Sequence, residues 1–163
     1  MSAEAHAGAP KAGTPTPAWT LIDFQGLDVP VLYDVLRLRA AVFVVEQACA
    51  FQDLDGLDQR ATHLLGYLDG VLVAYARCFP AGVAFAEASV GRVVTQGTAR
   101  GLGLGHQLVA RAMQAVGDVW GVQPIRIGAQ ARLKRFYQDH GFADMGKPYV
   151  EDGIDHLEML WQP

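Results

Sequence analysis

Three glycines alternate with leucines in "RGLGLGHQLVARAM", Arg100 to Met113, just ahead of an apolar run with helical spacing. Gly101, Gly103 and Gly105, with Leu102 and Leu104 between them, leave a backbone bare enough for its N–H groups to approach an anion, and the N-terminus of a following helix adds a favourable dipole. That chemistry suits a pyrophosphate. The same glycines are compatible with a flexible turn that merely begins a helix. Two familiar phosphate loops do not fit. A dinucleotide loop needs G-x-G-x-x-G, and His106 stands where the third glycine belongs; a Walker loop ends in Gly-Lys-Ser/Thr. Metal motifs fit no better. "DLDGLD", Asp53 to Asp58, has its glycine in the fourth place instead of the sixth that a calcium loop requires, and reads as a solvated acidic turn able to attract cations. Cys49 and His63 lack a second pair of ligands for zinc. We expect no metal.

Such a loop needs a strand to lead into it and a helix to follow. "FAEASVGRVV" reads as that strand, and Leu108, Val109, Ala112, Met113, Val116, Val119 and Trp120 form one helical stripe behind the glycines. Upstream, "WTLIDF" reads as a strand and "LDVPVLYDVLRLRAAVFVVEQ" as a helix with Pro30 in its first turn, placing Arg39 beside the buried stripe. "HLLGYL" and "VLVAYARCF" form a hairpin across Asp69-Gly70. Downstream come strand "IRIGA", helix "ARLKRFYQDHGF" stopped by Gly141 with Phe142 folding back on Phe136 or Tyr137, and strand "HLEMLW". The predicted order is β-α-β-β-β-α-β-α-β, an α/β (α+β) fold with helices against a mixed sheet.

Composition bounds the rest. The 163 residues, 51% of them hydrophobic, suffice for one domain with a proper core. Thirteen Lys and Arg against seventeen Asp and Glu give a net charge of -4, which argues against an extended nucleic-acid surface. Two cysteines, Cys49 and Cys78, make no disulfide framework, so a reduced cytoplasmic setting is expected. No stretch reads as a signal peptide or membrane anchor. Residues 1–18, rich in Ala, Gly, Pro and Thr, read as a disordered tail, and residues 19–163 as a single domain.

Arg at the first place of the run, with Gly at the fourth and sixth, between a strand and a helix, resembles the acyl-CoA loop of the GNAT superfamily of N-acyltransferases. "LRAAVFVVEQAC", "QDLDGLD", "THLLGYL", "AYAR", "GRVV", "GAQARLKRFYQDHGF" and "YVEDGIDHLEM" together resemble its small ElaA-like branch from about Trp19 to Trp161. The resemblance implies the GNAT fold, in which two parallel strands, Ala88 to Thr95 and Ile125 to Gln130, splay apart and receive the thioester arm of acetyl-CoA. It further implies that backbone at Val93, Val94 and Thr95 pairs with the pantetheine amides. An N–H near Val94 would polarise the thioester carbonyl, and the N–H groups from Arg100 through Gly105 would hold the pyrophosphate. Tyr137 of the "FY" pair would protonate the departing thiolate, a role open to a group with a free pKa of about 10. Its spacing with Leu133 and Phe136 is equally that of a core residue.

The acceptor, an amine, must lose a proton. Glu46, Glu151 and His156 fall in segments that match the ElaA pattern. They are expected to line the acceptor pocket, with Glu46 and His156 on opposite walls at the end away from the cofactor loop. Glu87 is an alternative base. Arg39 and Arg92 call for carboxylates such as Glu46 or Asp55 if buried. The implied function is N-acetyl transfer from acetyl-CoA to a small-molecule amine, with no nucleic acid, membrane or metal and with a homodimer allowed. Alternatives are a protein or peptide amine as acceptor, a non-catalytic acyl-CoA sensor, and an acyl-homoserine-lactone synthase, to which "RAAVF" is similar but against which the glycine loop and "FYQDHGF" count.

Overall fold

A computed structural model describes residues 16–163; most of the expected N-terminal tail lies outside them. Seven strands form one sheet: β1 (Ala18–Asp23), β2 (Thr62–Leu68), β3 (Val71–Phe79), β4 (Ala88–Thr95), β5 (Ile125–Gln130), β6 (Ala143–Glu151) and β7 (Ile154–Trp161). Their order is β1-β2-β3-β4-β5-β7-β6, and every neighbouring pair is antiparallel except β4 and β5. Three helices flank it: α1 (Val29–Arg39), α2 (Leu104–Trp120) and the short α3 (Lys134–Gln138).

Strand alternation sorts the core into two faces. Ala74, Ala76 and Cys78 of β3 meet Leu108, Val109, Ala112 and Val116 of α2 on one face. Tyr75 between them points the other way, to Val35 and Leu38 of α1 and Val94 of β4. The small side chains on the α2 face let that helix lie close to the sheet, so the loop before it is delivered to the end of β4. Burial against these two helices fixes strand register, since a one-residue slip would exchange the faces.

Two expectations about elements need correction. The first helix does not continue evenly to Gln47: after Arg39 it widens into a π-helical turn, Ala40–Glu46, in which Gln47 N–H donates back to Val42 O at 3.1 Å. The wider turn rotates Val42, Phe43 and Glu46 relative to an ideal helix. The second correction is β6, absent from the predicted order. "ADMGKPYVE" shows no apolar alternation because it is an edge strand, mostly exposed, with its register broken between Asp144 and Pro148. A legible signal lay just beyond it: Asp152-Gly153, with φ of 50° and 76°, repeats the turn at Asp69-Gly70, with φ of 49° and 76°.

The acidic "DLDGLD" stretch is only partly solvated, contrary to expectation. Asp53 and Asp58 are buried, and with Asp55 they close a ring of alternating charge with three arginines from three elements. Arg39 donates to Asp53 at 3.0 Å and Asp58 at 2.8 Å; Arg77 of β3 donates to Asp58 at 2.8 Å and Asp55 at 2.7 Å; Arg92 of β4 donates to Asp53 at 2.8 Å and Asp55 at 3.4 Å. Asp55 was thus a sound partner for Arg92, while Glu46 serves neither Arg39 nor Arg92. Buried ions are tolerable here because each has an opposite neighbour on both sides. His63 is buried beside the ring, donating from Nε2 to Asp58 O (2.9 Å) and accepting at Nδ1 from the Tyr75 hydroxyl (2.7 Å).

Candidate active site

β4 and β5 pair only at Ala88 with Ile125 and Ser89 with Arg126. Beyond these two rungs the strands part, and the gap opens into a cavity of about 440 Å³. Val90 to Thr95 line one side, Ile127 to Gln130 the other. The β3–β4 ladder accounts for only one edge of β4: Gln96 N–H donates to Val73 O at 2.7 Å, so alternation turns the Thr95 N–H to the gap side. Backbone donors and acceptors facing a cavity are what an extended amide-bearing chain can pair with, as an added strand would.

One end of the cavity is reached by the glycine loop. Leu104 is buried and Leu102 half-buried against Val73 and Ala99, so the leucines peg the loop down while its glycines shape the backbone. Gly101 and Gly103 take φ of 81° and 74°, a region that penalises any Cβ, and Gly103 is the N-cap of α2 without a side-chain cap. The first N–H groups of the helix therefore have no partner within the helix. A Cβ at Gly101 or Gly103 would meet no protein atom within 4 Å, so conformation is the local demand for glycine. Gly105 lacks that demand; there a Cβ would only touch Phe136 at 3.6 Å. Arg100 and Gly105 line the cavity, whereas Gly101, Leu102, Gly103 and Leu104 are not among its lining residues. Unpaired N–H groups, room above the glycines and a helix dipole fit a phosphate group.

At the other end, β6, β7 and the π-helical turn converge. Glu46, Glu151 and His156 line the same cavity, together with Gln47, Phe51 and Asp152. His156 Nδ1 lies 2.7 Å from Ile154 O; a carbonyl only accepts, so Nδ1 carries a proton, and Nε2 faces Glu151 at 3.8 Å. Tyr149 stacks on the imidazole at 5.3 Å, and a Cβ at Gly128 would collide with the Tyr149 hydroxyl. Gln130 Nε2 donates to Gln47 Oε1 at 3.1 Å, and Cys49 Sγ to Asp152 O at 3.4 Å, tying the chain just after the π-helical turn to β5 and to the β6–β7 turn. Tyr149, Gln47, Gln130, Phe51 and Arg92 were not among the expected site residues. Nothing in "KPYVEDG" announces Tyr149, because its role depends on a contact across the sheet.

Glu46 is not remote from the loop. Its carboxylate takes both terminal nitrogens of Arg100, whose Nη2 also donates to Thr95 O at 3.2 Å. Those hydrogen bonds hold the Glu46 carboxyl below the usual carboxylate range. Glu46 is therefore tied to the glycine loop, not set at the end away from it as expected. Glu87 is outside the cavity and is taken by Arg126 at 2.8 Å, so it is no base for this site.

Tyr137 lines the cavity beneath the splay, packed edge-on against Phe136 (5.1 Å) and Phe142 (5.9 Å). The glycine stop works as anticipated: Gly141 has φ of 88° and Phe142 folds back onto Tyr137. Burial pushes the phenol up to about 12. Among the described residues no group of three or more His, Cys, Asp and Glu is placed to hold a metal, and no helix is long and apolar enough to cross a membrane.

A mixed sheet splayed at one parallel pair, with an uncapped glycine-led helix at one end of the gap, is the architecture of an acyl-CoA N-acyltransferase. Residues 33–163 match the acetyltransferase (GNAT) domain, and the chain belongs to that family. It is 40% identical to the protein ElaA of Escherichia coli over 143 residues, 86% of this chain and 94% of that one, and the ElaA crystal structure superposes with a TM-score of 0.83. An acyl-CoA N-acyltransferase from Pseudomonas aeruginosa, 40% identical, superposes with a TM-score of 0.85 over 90% of this chain and 99% of its own. A CoA-dependent acyl-homoserine lactone synthase, BjaI, solved with isopentyl-CoA, has a TM-score of 0.74 at 18% identity and covers 90% and 83% of the two chains; it shares the fold.

Proposed function

We propose that this protein transfers acetyl from acetyl-CoA to the amine of a small molecule by direct attack on the thioester. The observation that carries this is a single cavity at the β4–β5 splay lined by Arg100 and Gly105 of the glycine loop, by Tyr137, and by His156 and Glu151. Acetyl-CoA supplies an already activated acyl group, so the chain's task is to hold, polarise and move protons. N–H groups from Arg100 to Gly105 bind the pyrophosphate, and backbone at Val93, Val94 and Thr95 binds the pantetheine amides. A gap-facing N–H near Val94 polarises the carbonyl. Tyr137, neutral throughout the physiological range, is suited to give a proton at the sulfur position.

On the acceptor side His156, its Nδ1–H held by Ile154 O, accepts the proton at Nε2, and Glu151 stabilises the imidazolium formed. Glu46, held by Arg100, orients the acceptor's ammonium and links acceptor binding to the loop. The limited cavity supports a small amine rather than a folded protein segment. Two free buried cysteines support a reducing, cytoplasmic setting. The test is thiol release from acetyl-CoA against a panel of small amines and peptides. Turnover with a small amine is the expected result; acetyl-CoA binding without turnover on any amine would leave a sensor, and no binding would end the reading.

A further inference from the structure

Arg92 occupies a backbone position that normally belongs to glycine. Tyr75 pairs with Val94 and Arg77 with Gly91, so two residues of β4, Arg92 and Val93, stand opposite the single Ala76 of β3. That count defines a β-bulge, and Arg92 takes its left-handed place with φ of 48°. Glycine would adopt this φ at no steric cost. An arginine there is held in place by its side chain. Nε donates to Asp53 Oδ1 at 2.8 Å, Nη2 to Asp53 O at 3.0 Å and to Asp55 Oδ2 at 3.4 Å, with the Phe51 ring 5.7 Å away. Of the three arginines in the charge ring, Arg92 alone lines the cavity, and its bulge immediately precedes the Val93 to Thr95 backbone.

We infer that Arg92 is a positioning residue for acyl transfer: its guanidinium fastens the β4 bulge to the Asp53–Asp55 segment, holding the Val93 to Thr95 amides and the Phe51 wall in one fixed relation across the cavity. Arg39 and Arg77 complete the ring from behind and keep both aspartates where Arg92 needs them. What those amides act on rests on the acyl-CoA reading; the clamp itself does not. A lysine cannot replace the fork, because one ammonium cannot reach a carboxylate, a backbone carbonyl and a second carboxylate in one plane.

The test compares wild type with Arg92→Gly, which keeps the bulge conformation free of strain but loosens its backbone as well as removing the clamp, and with Arg92→Lys, which keeps the Cβ and removes the fork. Amide hydrogen exchange is read residue by residue, acetyl-CoA affinity by calorimetry, and kcat by thiol release. In Arg92→Gly the amides that bond the end of β4 to β3, Gln96 among them, should exchange at least about tenfold faster while those of β1 and β2 hold their rates. Affinity, anchored at the glycine loop, should change little, and kcat should fall about 10- to 100-fold from misplacement alone. Arg92→Lys should loosen the same amides to a lesser degree and serves if the glycine variant does not fold. Unchanged β4 exchange, or acceleration shared equally by β1 and β2, overturns the clamp, as does a loosened β4 with wild-type kcat. If wild type itself neither binds acetyl-CoA nor turns over, the acyl-transfer reading fails, and the exchange comparison still decides the clamp.

Discussion

Tyr137 is the residue whose chemistry and environment agree most closely. A phenol walled in by Phe136 and Phe142 is disfavoured as a phenolate, so it remains a proton donor at any pH the enzyme meets. Tyr137→Phe keeps the edge-on packing and deletes the proton; turnover should drop about 10²- to 10⁴-fold with acetyl-CoA affinity nearly retained. Equal turnover in the two proteins would reduce Tyr137 to packing. His156→Gln should lower turnover by removing the proton-accepting ring nitrogen while acetyl-CoA affinity is retained, which thiol release and calorimetry read directly. Glu46→Gln carries a different expectation now that Arg100 is seen to share it: acceptor KM and acetyl-CoA affinity should both change, whereas an effect on KM alone would detach Glu46 from the loop. The "RGLGLG" spacing pointed to an anion-suited loop ahead of a helix, whereas Tyr137 stood out in "FYQDHGF" only through the resemblance to the GNAT family, its spacing being equally that of a core residue. Arg92 and Tyr149 were not legible, since a bulge exists only relative to its neighbouring strand and Tyr149 acts by lying over Gly128.

The elements divide in the same way. Elements that contrast with the loops around them follow from the sequence: β2 and β3 are apolar runs buried on both faces, and α2 buries one apolar stripe. β6 was missed because an exposed edge strand has no such contrast. The charge ring was missed for the opposite reason: three aspartates within six residues look like a solvated loop until three arginines from α1, β3 and β4 are folded against them. At the loop before α2, Gly103→Val places a β-branched residue at φ of 74°. Calorimetry on the folded variant should show weakened acetyl-CoA binding, and unchanged affinity would remove the loop from the site. In the ring, Asp58→Asn deprives two arginines of their shared carboxylate, at a cost of about 3 kcal/mol or more and a fall in Tm of at least about 6 °C.

For the whole molecule, acid stability follows from the same buried groups. Burial raises the Asp55 carboxyl, but hydrogen bonds from Arg77 and the Leu57 N–H, with the charges of Arg77 and Arg92, bring it down to about 2. The unfolded chain, with aspartates titrating at about 3.9, therefore takes up this proton first. Stability from Asp55 is complete above that value and is lost as pH falls toward 2. Burial also depresses His63, so the unfolded state again binds more protons and loss begins earlier, below about 6.5. Denaturant melts across this range should show stability declining steadily with acid, and His63→Gln should flatten the upper part; a flat profile would mean that these groups do not titrate with folding. In the function we propose, the splayed pair, β4 and β5, receives the thioester arm of acetyl-CoA. A crystal soaked with acetyl-CoA tests that claim most directly. The account predicts pyrophosphate on the N–H groups of Arg100 to Gly105, the pantetheine arm between β4 and β5 along Val93 to Thr95, and sulfur beside the Tyr137 hydroxyl. Acetyl-CoA bound outside the gap, or a gap left empty at saturating concentration, would contradict it.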